Sequence, residues 1–229
     1  MTTTSLPMRH ALLAVLVAFI WGTNFVVMKL GLAQLPPFLF ATLRFALVAF
    51  PLVFVLPKPA VSWRNLAAYG LLIGVGQFAL VFYALTRFIS PGMLAVVIQT
   101  QVFFTMGLAV LLAGERLRAP QVLATAVAAL GIGVIAWHTD GHTTVLGVVL
   151  ALVAAFCWGL ANIASRAAAG TNALAYVVWS ALFAVPPLAI LSLWLDGWPA
   201  IEQGLRSATG WTWLAVIWQS VGNSMLGYG

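Results

Sequence analysis

Apolar stretches of about twenty residues, each closed by a short polar or helix-breaking turn, follow one another along this chain. A helix of that length crosses a hydrocarbon layer of about 30 Å. The runs fall at about 10–30, 38–56, 66–88, 93–113, 121–137, 145–168, 174–195 and 211–229. Gln34-Leu35-Pro36-Pro37 ends the first and Pro57-Lys58-Pro59 the second, as turns carrying Pro should. Lipid offers no partner for an unpaired backbone amide, so each run is predicted to be helical. The pattern therefore predicts an all-α polytopic membrane protein with eight transmembrane helices.

The runs are not independent. Phe19-Ile20-Trp21-Gly22-Thr23-Asn24-Phe25-Val26-Val27-Met28-Lys29 is echoed by Phe156-Cys157-Trp158-Gly159-Leu160-Ala161-Asn162-Ile163-Ala164-Ser165-Arg166. Phe, Trp, Gly and the closing cation keep their spacing, with Trp158 lying 137 residues after Trp21. A second echo links Arg44–Pro51 to Trp179–Pro186, 135 residues apart from Arg44 to Trp179. Helix one thus matches six and helix two matches seven, which makes the repeat unit five helices. An odd unit puts the second copy in upside down, the inverted-topology repeat of many carriers. The predicted units are 1–137 and 145–229, the second holding helices six to eight, of ten in a complete 5+5 arrangement. The last run reaches Leu226-Gly227-Tyr228-Gly229 with no polar anchor after it, so the expectation is a C-terminally truncated chain.

Composition agrees with the pattern: 63% of the 229 residues are hydrophobic and 6% charged. A soluble domain carries about 25% charged residues, so a water-soluble globule is excluded. The net charge of +6 comes from scattered cations with no basic stripe, so no nucleic-acid partner is expected. With a cytoplasmic N-terminus, Arg9, Lys58, Arg64, Arg116, Arg118 and Arg166 face inward, while Arg206, with Lys29 and Arg87 at helix ends, faces outward. Positive-inside counting supports that orientation. Trp63, Trp137, Trp194, Trp198 and Trp211 lie near predicted helix ends, suiting an aromatic belt. The single cysteine, Cys157, reads as a small packing residue.

Polar side chains within the runs are the functional candidates, because they are costly in hydrocarbon. They are Asn24, Arg44, Gln77, Tyr83, Gln99, Gln101, Asn162 and Asn223. Trp21, Asn24 and Met28 share one helical face, and Trp158 with Asn162 forms the equivalent pair. An aromatic ring beside an amide suits a small zwitterion, although amides also serve as glue between helices. Gln99 and Gln101 diverge by about 200° on a helix, so one lines a path while the other bonds a neighbour, with Gln99 favoured for the path. Arg44 is either a carboxylate contact or a structural cation bonding backbone carbonyls or leaning toward the outer interface. Glu115-Arg116 reads as a structural pair at a helix end. No metal cluster, cofactor motif or nucleophile–histidine arrangement occurs in these runs, so no enzyme, metal or cofactor is expected.

Several of these residues also form motifs. Trp21–Val27, Leu43-Arg44-Phe45 with Phe50-Pro51, Gln77-Phe78, Gln99–Thr105 and Gly114-Glu115-Arg116-Leu117 resemble the EamA family of the drug/metabolite transporter superfamily. Within it the whole chain looks like bacterial O-acetylserine/cysteine exporters. The resemblance implies a multi-pass carrier of the bacterial inner membrane with a central substrate cavity between two halves. It implies small-metabolite export by alternating access, of amino acids or cysteine-pathway intermediates. Substrate contacts would come from Trp21, Asn24, Gln77, Tyr83, Gln99, Gln101, Trp158 and Asn162. The alternatives are an exporter of drugs or other metabolites, or an inactive or heterodimeric membrane fragment with a scaffold role. The partners expected are a small-molecule substrate, the lipid bilayer and, as a candidate assembly, a homo- or heterodimer.

All four carboxylates, Glu115, Asp140, Asp196 and Glu202, and the three histidines, His10, His138 and His142, fall at run ends or in loops. A proton-coupled carrier usually keeps a titratable group within the membrane. Uniport or potential-driven export is therefore predicted. In proteoliposomes held at fixed voltage, an imposed pH gradient should leave the export rate unchanged, and export that follows the gradient would overturn this.

Overall fold

The computed structural model describes residues 8–115, 119–137 and 141–227, and among them every regular element is a helix. Arg116, Leu117, Arg118, His138, Asp140, Tyr228 and Gly229 lie outside the described residues, as do the side chains of Arg9, His10 and Trp137. The elements are α1 (Met8–Leu32), α2 (Pro37–Ala49), α3 (Trp63–Arg87), α4 (Pro91–Leu112), α5 (Ala119–Trp137), α6 (Val145–Ala168), α7 (Ala173–Asp196) and α8 (Trp198–Ser207). The last, α9, starts as Gly210–Ile217 and runs on as a π-helical stretch, Trp218–Leu226. Five stretches are long and apolar enough to cross a membrane: Pro37–Phe54, α3, α4, α6 and α7. Phe19–Leu32 and Ala119–Gly131 are shorter apolar stretches within α1 and α5. This is a multi-pass membrane protein.

Local sequence sets the helix starts. Ser62, Ser90, Thr144, Asn172 and Thr209 each accept a hydrogen bond from the backbone N–H three residues on, filling a donor that a helix N-terminus leaves orphaned. These caps begin α3 and α4 at Trp63 and Pro91, a little before their apolar runs. Helix α2 has no cap of its own, because Pro36 and Pro37 supply no side-chain acceptor. Asp196, at the far end of α7, fills that place: its Oδ2 accepts from Leu39 N at 2.8 Å and from Ser192 Oγ at 3.0 Å.

Two expectations are corrected by backbone chemistry. The second apolar run is one helix only to Ala49, because Pro51 has no N–H to continue it; a 3₁₀ turn, Leu52–Phe54, follows. The segment expected as a loop around Glu202 is helix α8, with Glu202 and Arg206 paired at 2.5 Å one turn apart. Exposed Trp194, Trp198 and Trp211 flank it.

Packing brings α2 against α7, α3 against α6 and α7, α4 against α6, and α1 against α9. Three aromatic pairs stitch α2 to α3: Phe38–Tyr83, Phe40–Phe82 and Phe45–Phe78, with ring centroids 5.8, 4.7 and 5.9 Å apart. Glycines let α3 approach its neighbours. A Cβ on Gly74 would collide with Ala184 of α7, and one on Gly76 would lie 2.7 Å from Cys157 Sγ of α6. Glu115 pairs with Arg166 across the end of the α4–α6 contact; Arg116, its partner in the expected pair, lies outside the described residues.

Replacing Asp196 by Ala should remove the borrowed cap of α2 at a cost of about 1–2 kcal/mol. In detergent the melting temperature should fall by roughly 2–8 °C for a chain of this size. An unchanged melting curve would show that water caps α2 equally well.

Candidate functional site

Two hollows run through the bundle and meet at a pair of tryptophans. The first, about 340 Å³, is walled by Trp21, Asn24, Phe25 and Met28 of α1, by Gln77 of α3, by Gln99 of α4 and by Asn223 of α9. The second, about 450 Å³, is walled by Tyr69, Gln101, Asn162 and Tyr176 and by the turn from α6 to α7. Trp21 and Trp158 line both, packed edge to face with centroids 6.2 Å apart and ring planes at 80°. The second hollow lies toward one end of the bundle. Asn65, near the start of α3, donates to Ala164 O at 2.8 Å, which sets that end at the α6–α7 turn. At the opposite end a third recess, about 350 Å³, gathers Lys29, Arg87 and His142 around the α3–α4 turn.

The two glutamines of α4 divide between the hollows. Gln99 sits within a 3₁₀ turn, Ile98–Thr100, and Gln101 follows it directly. Gln99 lines the first hollow. Gln101 lines the second, where its Oε1 accepts from Asn162 Nδ2 at 3.0 Å and Thr105 Oγ1 at 3.3 Å. Asn162 also donates to Thr105 Oγ1 at 3.1 Å, so this amide is largely occupied in joining α6 to α4.

Gln77 sits in a π-helical stretch of α3, Leu72–Ala79, and is 3% exposed. Its Oε1 has no hydrogen-bond partner although it is buried. Such an oxygen is costly to leave unpaired, and Gln77 lines the first hollow. Extra residues in a π-stretch turn side chains that a regular helix would aim elsewhere, and such stretches are frequent at functional sites.

Arg44 does not line either hollow. It is 1% exposed and spans from α2 to α9. Its NH1 donates to Gln219 Oε1 at 2.9 Å, and Nε and NH2 donate to Ser224 Oγ at 3.1 and 2.9 Å. The guanidinium carbon lies 3.4 Å from the Phe78 ring centroid, a cation–π contact. Ser220 Oγ donates to Arg44 O at 3.1 Å. The cation thus bonds side chains on a neighbouring helix. Tyr83 is also outside both linings; it is packed between Phe38 and Phe88.

Sequence reasoning did not single out Gln219, Ser220 or Ser224. With Asn223 they form a polar stripe at positions 219, 220, 223 and 224, the spacing of one helical face, and that spacing was the available signal. Gln219 Nε2 donates to Asn24 Oδ1 at 2.5 Å, so the stripe continues into the wall of the first hollow.

Truncating Arg44 to Ala should leave Gln219 Oε1 with only the longer bond from Asn223 and Ser224 Oγ with no donor of its own to accept from, at about 1–3 kcal/mol for a buried group left unsatisfied. The melting temperature in detergent should fall clearly, with Arg44→Lys intermediate. Equal stability of all three proteins would mean the guanidinium holds nothing in place.

Residues 8–137 match the EamA-like transporter family. A probable amino-acid metabolite efflux pump of Salmonella typhimurium is 38% identical over 227 residues, which are 96% of this chain and 76% of the relative. A protein of the same description from Escherichia coli is 36% identical over the same shares. An uncharacterized transporter of Bacillus subtilis is 26% identical over 225 residues, 93% of this chain and 73% of its own.

Proposed function

The chain belongs to the EamA-like transporter family, and from that premise we propose that it exports small amino-acid metabolites, with cysteine and O-acetylserine as the candidate substrates. Two relatives described as probable amino-acid metabolite efflux pumps support the substrate class. The single observation that carries the reading is the first hollow: an aromatic and amide-lined chamber of about 340 Å³, large enough for a small amino acid, with Trp21, Asn24, Gln77, Gln99, Trp158 and Asn223 in its wall. Among the described residues no Asp, Glu, Lys or Arg lines it, so a ligand that carries both charges would be met by donors and acceptors rather than by counter-ions.

The route we propose runs in series through the second hollow, past the Trp21–Trp158 pair, into the first hollow and out beside Lys29 and Arg87. In this reading the N-terminus is cytoplasmic, the membrane is the bacterial inner membrane, and eight spans fall within these residues. The inverted units 1–137 and 145–229 rock about the hollows to give alternating access. Trp21 and Trp158, equivalent positions in the two units, are the constriction that opens in turn.

In everted vesicles, Asn24→Leu and Gln99→Leu should each lower export of the accepted amino acid by at least tenfold while leaving membrane insertion intact. Tyr83→Phe, outside the hollows, should change it little. Trp158→Ala should raise passive leak through the carrier. Unchanged flux in the first two variants would reduce both amides to packing residues, and flux of none of the amino acids tested would sink the substrate class.

A further inference from the structure

A guanidinium has donors and no acceptor. Because Arg44 NH1 donates to Gln219 Oε1, the Gln219 amide is oriented with its oxygen toward Arg44 and its nitrogen toward α1. That nitrogen donates to Asn24 Oδ1 at 2.5 Å. The oxygen of Asn24 is therefore occupied. Its Nδ2 makes no hydrogen bond among the described residues, and Asn24 lines the first hollow. An amide that would otherwise present either end is held with its donor available to a ligand.

The same glutamine orients a second amide. Asn223 Nδ2 donates to Gln219 Oε1, a longer contact at 3.4 Å, which leaves Asn223 Oδ1 as the free end. Asn223 also lines the first hollow, as does Gln77 with its unpartnered Oε1. The chamber thus offers a donor from Asn24 and an acceptor from Asn223, beside the amides of Gln77 and Gln99. A carboxylate needs donors and an ammonium needs acceptors, so the set is complementary to an α-amino acid with both groups free.

We propose that Gln219, which lines neither hollow, is a positioning residue that sets the hydrogen-bonding polarity of the chamber through Asn24, and that this polarity selects substrates with a free α-carboxylate. Arg44 fixes the glutamine and Gln219 fixes the asparagine. The inference rests on the export of amino-acid metabolites proposed above and adds which end of the substrate meets which wall.

Gln219→Glu tests it. The new carboxylate still accepts from Arg44, now as a charge-assisted pair, but it has no donor for Asn24 Oδ1. Asn24 then turns its Nδ2 to the glutamate and presents its oxygen to the chamber. The measurement is binding to the purified full chain, read as affinity for cysteine against cysteinamide and for serine against serinamide. The wild type should prefer the free acid. In Gln219→Glu that preference should fall at least tenfold or invert. Should this variant fail to insert, the double variant Arg44→Leu/Gln219→Leu replaces the buried pair by apolar residues of comparable bulk, a change such interiors often tolerate. Asn24 is then unheld and the acid-to-amide preference should drop toward parity. Wild-type preference for the acid with the same ratio in whichever variant inserts would overturn the relay and leave the export reading standing. A wild type that binds none of the four ligands would overturn both.

Discussion

The guanidinium of Arg44 is enclosed where water does not reach, and a buried donor group left without acceptors is among the more expensive defects a protein can carry. Its solution is to draw Gln219 and Ser224 of α9 onto α2, more than 170 positions away in the chain. That one requirement ties late sequence to early sequence. It also explains why the end of α9 departs from a regular helix: Ser224 Oγ donates to Gln219 O at 3.1 Å, five residues back, where the π-stretch brings the two together. The Phe78 ring closes the other face of the guanidinium, and Phe78 adjoins Gln77. A single cation is thus in contact with the structures that carry both the α1–α9 wall and the α3 wall of the first hollow.

The two π-stretches beside that hollow share a composition. Leu72–Ala79 holds Gln77, and Trp218–Leu226 holds Gln219 and Asn223. Each places amides toward an interior that a regular α-helix of the same sequence would present differently. The hydrophobic pattern is indifferent to this change, because the flanking residues remain apolar in either winding. Geometry of the backbone, rather than identity of the side chains alone, decides which amides share a chamber.

This marks how far the sequence could be read. Apolar runs located the rods within a few residues, since hydrocarbon tolerates little else, and their ends shifted only where Ser62, Ser90 or Pro51 acted locally. The face shared by Trp21, Asn24 and Met28 was legible because helical spacing alone sets it, and those three residues do line one hollow. The divergence of Gln99 and Gln101 followed from the same spacing. What escaped was non-local or irregular. Nothing near Arg44 in sequence names Gln219 or Ser224 as its acceptors. Helix α8 is polar enough to pass for a loop, and its one-turn Glu202–Arg206 pair was the clue. The packing of Tyr83 against Phe38 and Phe88 is likewise between residues that sequence alone does not join. The depth of Arg44 was evident in the sequence and its company was not.

Cys157 is the single cysteine of the chain, and it sits on the bare backbone of Gly76, one residue from Gln77 on α3 and next to Trp158 on α6. Its thiol is covered on that side only for as long as the two helices stay together. Any movement that parts α3 from α6 uncovers the sulfur, and any that presses them closer shields it further. The protein consequently carries a native chemical reporter at the seam of its own chamber. The rate at which a small maleimide or thiosulfonate modifies the unaltered chain should rise above the baseline of this half-buried thiol as that seam opens, with no engineered label.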